Sequence, residues 1–371
     1  GDFSACYEAV HVDKVSNRSH SRSNGHDLNV GFNYSDDTWM FNASLGVTPQ
    51  KRTIDRKVGK LYADTTMRTI DYQPMIWLSW RKKKMRVSLN YNGRTRQPSL
   101  SDLMPLTDNS DPLYITRGNP DLKQMFMHTM HVSFQHPSKG ISANLGWQME
   151  KNSVTQVVLY DVQTGGRETY PININGNWNT YGSADWWKRF GHFSLKLSTS
   201  GRHSNRVSMI NEDRSQQPEK STTRDTGLNC EMEASYQPTW GGFDFSTSWD
   251  YQYSLNSLNG NNTYTRYYNF RFDGYVDFPF GLQLRTDAGY ILRSGTNIQK
   301  GEDDEIVWNA RATWRFLKQR KAELSAYWAD ILGKRKSYAR MATSDGFYES
   351  RTQEIKGYFI VTFKYNFRLM M

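Results

Sequence analysis

Residues 228–253 read LNCEMEASYQPTWGGFDFSTSWDYQY. Leu228, Cys230, Met232, Ala234 and Tyr236 alternate with Asn229, Glu231 and Glu233; beyond a turn at Pro238 to Gly242, Phe243, Phe245, Thr247, Trp249, Tyr251 and Tyr253 alternate with Asp244, Ser246, Ser248 and Asp250. A period of two with one apolar and one polar side describes β-strands whose faces meet different environments. The two runs and their turn form a hairpin.

The same unit recurs on either side. Upstream come Leu28 to Tyr34 with Trp39 to Val47, Tyr72 to Trp80 with Val87 to Tyr91, Met130 to Phe134 with Ile141 to Trp147, and Ile172 to Trp187 with Phe193 to Leu197. Downstream come Tyr268 to Phe272 with Leu282 and Leu284, Trp308 to Phe316 with Leu324 to Trp328, and a closing run from Gly357 to Phe367. With a further strand at Phe3 to Val12, about sixteen strands are expected, each near the ~9 to 11 residues a tilted strand needs to cross a bilayer. Short turns alternate with long polar connections, the longest at Gln50 to Thr69, Arg94 to Leu122, Val154 to Gly166, His203 to Thr223 and Gly333 to Ser350. Aromatic residues, among them Trp39, Trp80, Tyr236, Trp240, Phe243, Phe278, Phe280, Phe316 and Phe367, gather at or beside the short turns, as an interfacial girdle would. These features predict an all-β, transmembrane, antiparallel up-and-down β-barrel occupying residues 1–371 as one domain.

Composition permits that expectation. The 371 residues are 14% aromatic with a mean hydropathy of −0.77, as expected for an apolar outside, a polar inside and wet loops. No run reaches the ~18 apolar residues of a membrane helix, and GDFSACYEAV has no signal-peptide pattern. The chain is therefore expected to be mature or the C-terminal part of a longer one. Its charge of +10 is spread over turns such as Arg81 to Lys84 and Lys318 to Lys321, without a nucleic-acid-binding signature, so no nucleic-acid partner is expected. Cys6 and Cys230 are far apart and lack metal-ligand spacing.

Candidates for chemistry are few. His11, His20 and His26 lie among Ser, Asn and Arg, as in an ordinary loop, and His128 and His131, three apart on a strand, point to opposite faces and cannot share an ion. Asp303, Asp304 and Glu305 read as a solvated run; Glu231, Glu233 and Asp250 could form an acid/base pair, yet a polar interior needs such residues anyway. No catalytic residue, metal ligand or cofactor is expected.

The connection RTRQPSLSDLMPLTDNSDPLYITRGNPDL, residues 94–122, has no periodicity, and its prolines and turn formers predict a long loop. Gln97, Pro98, Ser99 and Leu103 within QPSLSDL, followed by Gly118, Asn119, Pro120 and Leu122 within GNPDL, resemble motifs of the TonB-dependent receptors, outer-membrane β-barrel proteins of the Bacteroidetes type. The chain departs from the family where Gln124 and Met125 stand after Lys123 in place of Pro-Glu. Asp330 to Gly333 resembles the family's Asp-x-x-Asn segment with Gly in place of Asn, and Phe359, Phe363, Tyr365 and Phe367 resemble the C-terminal insertion signal of outer-membrane barrels.

The resemblance implies the greater part of a 22-stranded barrel in the outer membrane of a Gram-negative bacterium, with lipid and lipopolysaccharide around it. It implies energised uptake of a small molecule, glycan or peptide through a plugged barrel driven by the TonB, ExbB and ExbD complex, with a surface lipoprotein as a further partner. The plug has no counterpart in this sequence. The polar residues nearest the motif, Arg96, Asp102, Asp108, Asp111 and Arg117, are the expected ligand-capture set. Two alternatives stand beside this: a plugless, porin-like diffusion channel, and a soluble β protein that binds or cleaves carbohydrate.

Overall fold

The computed structural model describes residues 17–58, 61–104, 107–108, 111–160, 165–211, 217–258, 260, 262–296, 304–343, 346–352 and 354–366. Strands β1 (Asn17–Gly25) and β2 (Leu28–Ser35) lie end to end against one long partner, β3 (Trp39–Val58). The meander continues through β4 (Leu61–Lys82) and β5 (Met85–Arg96). A one-turn helix, α1 (Leu100–Leu103), and two short strands, β6 (Thr107–Asp108) and β7 (Tyr114–Arg117), occupy the connection to β8 (Met125–His136) and β9 (Ile141–Lys151).

A hairpin of β10 (Ser153–Tyr160) and β11 (Arg167–Ile174) precedes the longest regular run, β12 (Asn177–Phe190), β13 (Phe193–Ile210), β14 (Glu219–Tyr236), β15 (Gly241–Asn256) and β16 (Asn262–Asp277). The chain then passes through β17 (Leu282–Gly295), β18 (Glu305–Phe316) and β19 (Ala322–Ala329). Strands β20 (Ser337–Thr343) and β21 (Gly346–Thr352) form a separate two-stranded sheet, and β22 (Tyr358–Tyr365) returns to pair with β19.

The strands of the main meander are antiparallel and make one continuous sheet, but the sheet is open, which corrects the expected closed transmembrane barrel. Its first edge is β1 and β2, its last is β22, and among the described residues no pairing joins them. Both β2 and β22 are exposed along their whole length. Strand direction agrees with the open edges. Every step from β2 to β22 is antiparallel, fourteen steps in all, so the two edges run the same way. Joining them directly would require a parallel pair, with a different hydrogen-bond pattern from that of the rest of the ladder. The expected first strand at Phe3 to Val12 lies outside the described residues, as do Cys6, His11 and Phe367.

At the short-turn end the expected hairpins form. Trp39 meets Trp80 with ring centroids 6.4 Å apart, Tyr236 stacks on Phe243 at 6.4 Å, and Trp314 lies 4.7 Å from Phe316. A 3-10 turn at Pro137–Lys139 ends on Gly140, whose φ of 65° favours glycine and whose Cβ, if present, would lie 2.0 Å from the Trp187 carbonyl oxygen.

At the opposite end several expected loops are strands instead. Gln50 to Thr69 continues β3 into β4 with unbroken register, Gln50 opposite Thr69 and Val58 opposite Leu61. His203 to Thr223 prolongs β13 and β14, Val154 to Gly166 contains β10, and Gly333 to Ser350 contains β20 and part of β21. The extension from Gln50 to Lys57 is polar at every position but Ile54, so it lacks the apolar alternation that betrays a half-buried strand, whereas β10 is apolar at Val154 and in an unbroken run at Val157, Val158 and Leu159, with Val157 buried, instead of an alternation. Ladder hydrogen bonds extend them nonetheless.

Residues directly opposite each other share a face, and adjacent rows of the sheet differ sharply. Phe134, Ala143, Ala184, Thr199, Cys230, Trp249 and Tyr268 form one row; the next, on the other face, is Ser133, Asn144, Ser183, Ser200, Asn229 and Asp250. The polar row is tied by side chains: Asn144 Nδ2 donates to Ser183 Oγ at 3.4 Å and Asn229 Nδ2 to Asp250 Oδ1 at 2.6 Å. Phe245, Phe270, Phe272, Trp314 and Trp328 stand exposed on the apolar face. So many large apolar side chains uncovered along one continuous face make a patch of the kind that marks protein, ligand or membrane contact in other proteins.

Candidate functional site

Two places concentrate polar side chains, and the first is the connection between β5 and β8. Ser99 caps α1, its Oγ accepting from the Asp102 backbone N–H at 3.1 Å, so a Ser-x-x-Asp sequence closes one helical turn. Leu103, Met104 and Leu122 form a buried cluster, and the partly buried Met67, Leu100 and Val154 pack against it. Gly118 passes so close that a Cβ would lie 2.0 Å from the Met104 carbonyl oxygen. Asn119 Nδ2 donates to the Pro171 carbonyl at 3.0 Å while its Oδ1 accepts from Asp121 N–H at 3.0 Å. Gln97 Nε2 reaches Thr69, Asp71 and Gln124. The connection is a folded corner that pins the β10–β11 hairpin.

Most of the expected capture residues have local partners in this corner. Arg117 Nε lies 2.7 Å from Glu168 Oε1 and its guanidinium covers Tyr170 at 4.4 Å, a clasp between β7 and β11, which run parallel. Asp102 also binds Ser99 Oγ at 2.5 Å and accepts from Gln156 at 3.3 Å, and Asp111 accepts from Leu113 N–H at 2.9 Å. Asp108 pairs through its backbone with Thr116. Arg96 stands exposed on β5 opposite Met125. The structure thus brings Arg117 against Glu168 and Tyr170, and leaves Arg96 and Asp111 at separate points of the corner. His128 and His131 do point to opposite faces: His128 lies opposite Gly93 and Met149, and His131 opposite Asn90 and Gly146.

The second place was not singled out by sequence reasoning. On the polar face, two adjacent rows cross six strands, β9 and β12 to β16, at the end away from the short turns. One row is Gln148, Asn179, Ser204, Asp225, Ser254 and Thr263; its neighbour is Gly146, Tyr181, Arg202, Gly227, Gln252 and Thr265. At a strand spacing of ~4.8 Å each row is about 24 Å long. The rows line a cavity of about 670 Å³, within the size range of small-molecule sites.

One ion pair lies within it. Arg206 Nη2 donates to Asp225 Oδ2 at 2.6 Å, and Ser254 Oγ to Asp225 Oδ1 at 2.7 Å. Glu150, beside Gln148, accepts from Ser153 Oγ at 2.8 Å. The two glycines of the second row are covered from the side: the Tyr181 ring lies over Gly146, where a Cβ would fall 2.1 Å from Tyr181 Cζ, and Arg202 lies over Gly227, 3.0 Å from Nε. The signal available in the sequence was the pairing of small and large residues at matching distances from the hairpin turns, which needs the register before it can be read. Among the described residues no group of His, Cys, Asp and Glu could hold a metal ion, and Cys230 is free and exposed, 3.4 Å from Thr199 Oγ1.

Residues 66–217 match the model of the outer membrane protein beta-barrel family, a span that includes the folded corner, Gly146, Tyr181 and Arg202. No curated protein matches the chain. A solved structure described as a bacterial polysaccharide outer membrane secretin aligns over 96% of this chain and 100% of that chain, at 10% sequence identity and a TM-score of 0.27. At the level of the family match, the chain is a β-sheet protein associated with the outer membrane. The narrower expectation of a TonB-dependent receptor with transmembrane barrel strands is corrected with the closed wall on which it depended: a plug-gated transporter holds its plug inside an enclosure, and among the described residues this sheet is open.

Proposed function

We propose that the chain forms one wall of a passive, porin-like solute passage at the outer membrane. The observation that carries this is the division of a single sheet into an exposed apolar face, with Phe270, Phe272, Trp314 and Trp328, and a polar face with a lined cavity. That is the arrangement by which a sheet separates lipid from water. The alternation of short turns at an aromatic-rich end with long extensions at the other end agrees with it. The family match at residues 66–217 supports the membrane. On this reading solutes move down their gradient along the polar face, and no energised step is required of this chain.

The test is conductance and solute flux in lipid bilayers reconstituted with the whole chain. Stepwise conductance, with uptake of small sugars that falls off with solute size, is the expected result. A chain that enters the bilayers but passes neither ions nor sugars overturns the proposal.

A further inference from the structure

We infer that the two polar rows between β9 and β16 form a binding track for a neutral, extended, hydroxyl-rich ligand, an oligosaccharide, with the Tyr181 ring as its stacking platform. The inference names the solute class for the polar face and so rests on the reading of that face as the solute-facing one.

Tyr181 is 43% exposed although one side of its ring is laid against Gly146. A ring held flat against the sheet presents an apolar plate among polar groups, which suits the C–H face of a sugar ring whose edge carries hydroxyls. Gly146 is what permits this placement, since any Cβ there would occupy the ring's position. Around the plate stand groups that both donate and accept: the amides of Gln148, Asn179 and Gln252 and the hydroxyls of Ser204 and Ser254.

Three features narrow the ligand class. The charges of Arg202 and Arg206 are matched by Glu150 and Asp225 in the same lining, and both oxygens of Asp225 are already bonded, so the cavity has no cationic surplus for a phosphate chain. A peptide strand is recognised mainly by backbone hydrogen bonds at a free sheet edge. Here all six strands lie inside the sheet with a ladder on each side, so only side chains remain to meet a ligand. The rows also run straight across the strands for about 24 Å at ~4.8 Å per strand, which fits an extended chain better than a compact solute.

The experiment is calorimetric titration of the whole chain with linear neutral heptasaccharides (an α-glucan, a β-glucan and a β-xylan), with inorganic tripolyphosphate and a seven-residue neutral peptide as competitors. Saturable binding of at least one heptasaccharide is expected, weakened about tenfold or more by Tyr181→Ala and by Gly146→Val, and little changed by Tyr181→Phe, because the platform is the ring. Tyr268→Ala, on the opposite face, should leave it unchanged and controls for general damage. Binding of tripolyphosphate or peptide in preference to every sugar, no saturable binding of any sugar, or sugar binding indifferent to Tyr181→Ala would each overturn the inference. Because titration needs no bilayer, a chain that binds sugar but conducts nothing would sink the passage proposal and leave this one standing.

Discussion

The folded corner between β5 and β8 and the polar rows between β9 and β16 contain similar residues used in opposite ways. In the corner the backbone leaves the ladder, and Gln97, Ser99 and Asn119 are committed to bonding turns, caps and neighbouring strands. In the rows the backbone is fully engaged by the ladder, so Gln148, Asn179 and Gln252 are left to face the cavity. A polar side chain becomes available to a ligand when the main chain does not need it. That difference shifts attention from the motif-bearing connection, where sequence reasoning placed ligand capture, toward the middle of the sheet.

The comparison can be tested first where it is most costly to disturb. Leu103→Ala removes the centre of the corner's buried cluster and should destabilise the protein by about 2–5 kcal/mol in denaturant unfolding. Gly118→Ala forces a Cβ against the Met104 carbonyl and should cost about 1–3 kcal/mol in the same assay. Asn119→Ala frees the Pro171 carbonyl and the Asp121 amide and should cost about 1–2 kcal/mol. In the rows, Asp225→Asn should cost less than about 1 kcal/mol, because the Arg206 partner is largely exposed and the pair is screened. Equal losses at Asn119 and Asp225 would erase the distinction between the two regions.

The smallest effect lies at the turn between β2 and β3. The Asp36 carboxyl is held below its usual range by hydrogen bonds from the Trp39 N–H, the Tyr34 hydroxyl and the Thr38 N–H. A depressed folded value means that its contribution is complete above the ordinary aspartate value of about 3.9 and disappears as the pH falls through the depressed one. Amide-exchange protection at Thr38 and Trp39 should therefore fall in strong acid and lose that pH dependence in Asp36→Asn. Protection independent of pH in the unmodified chain would remove the carboxylate from the account of this turn.

The short-turn hairpins of the main meander, those of β10–β11 and the β5–β8 connection apart, were legible because one face of each strand is apolar and the other polar, so a period of two is written directly into residues such as Leu228 to Tyr236. The aromatic-rich turn end was legible for the same reason. Beyond the apolar band the signal vanished. Lys51 to Val58 pairs with Leu61 to Arg68 through backbone groups common to every sequence, and nothing in their side chains announces it. Of the corner, the turn formers and the Ser99 cap could be read, whereas the cluster around Leu103 is completed by Val154 of β10, arriving from fifty residues further along.

The amino-acid order by itself determined that this chain is a meander of antiparallel strands with unlike faces, because alternation is a local property and survives any arrangement of the sheet. Only the tertiary structure decided that the sheet is open among the described residues, since whether two edges far apart in the chain pair is not written into any local pattern. It alone also decided that Gly146 and Tyr181, thirty-five positions apart, share a row. Register links residues that local pattern cannot connect, and a shift of one residue would have put Tyr181 on the opposite face.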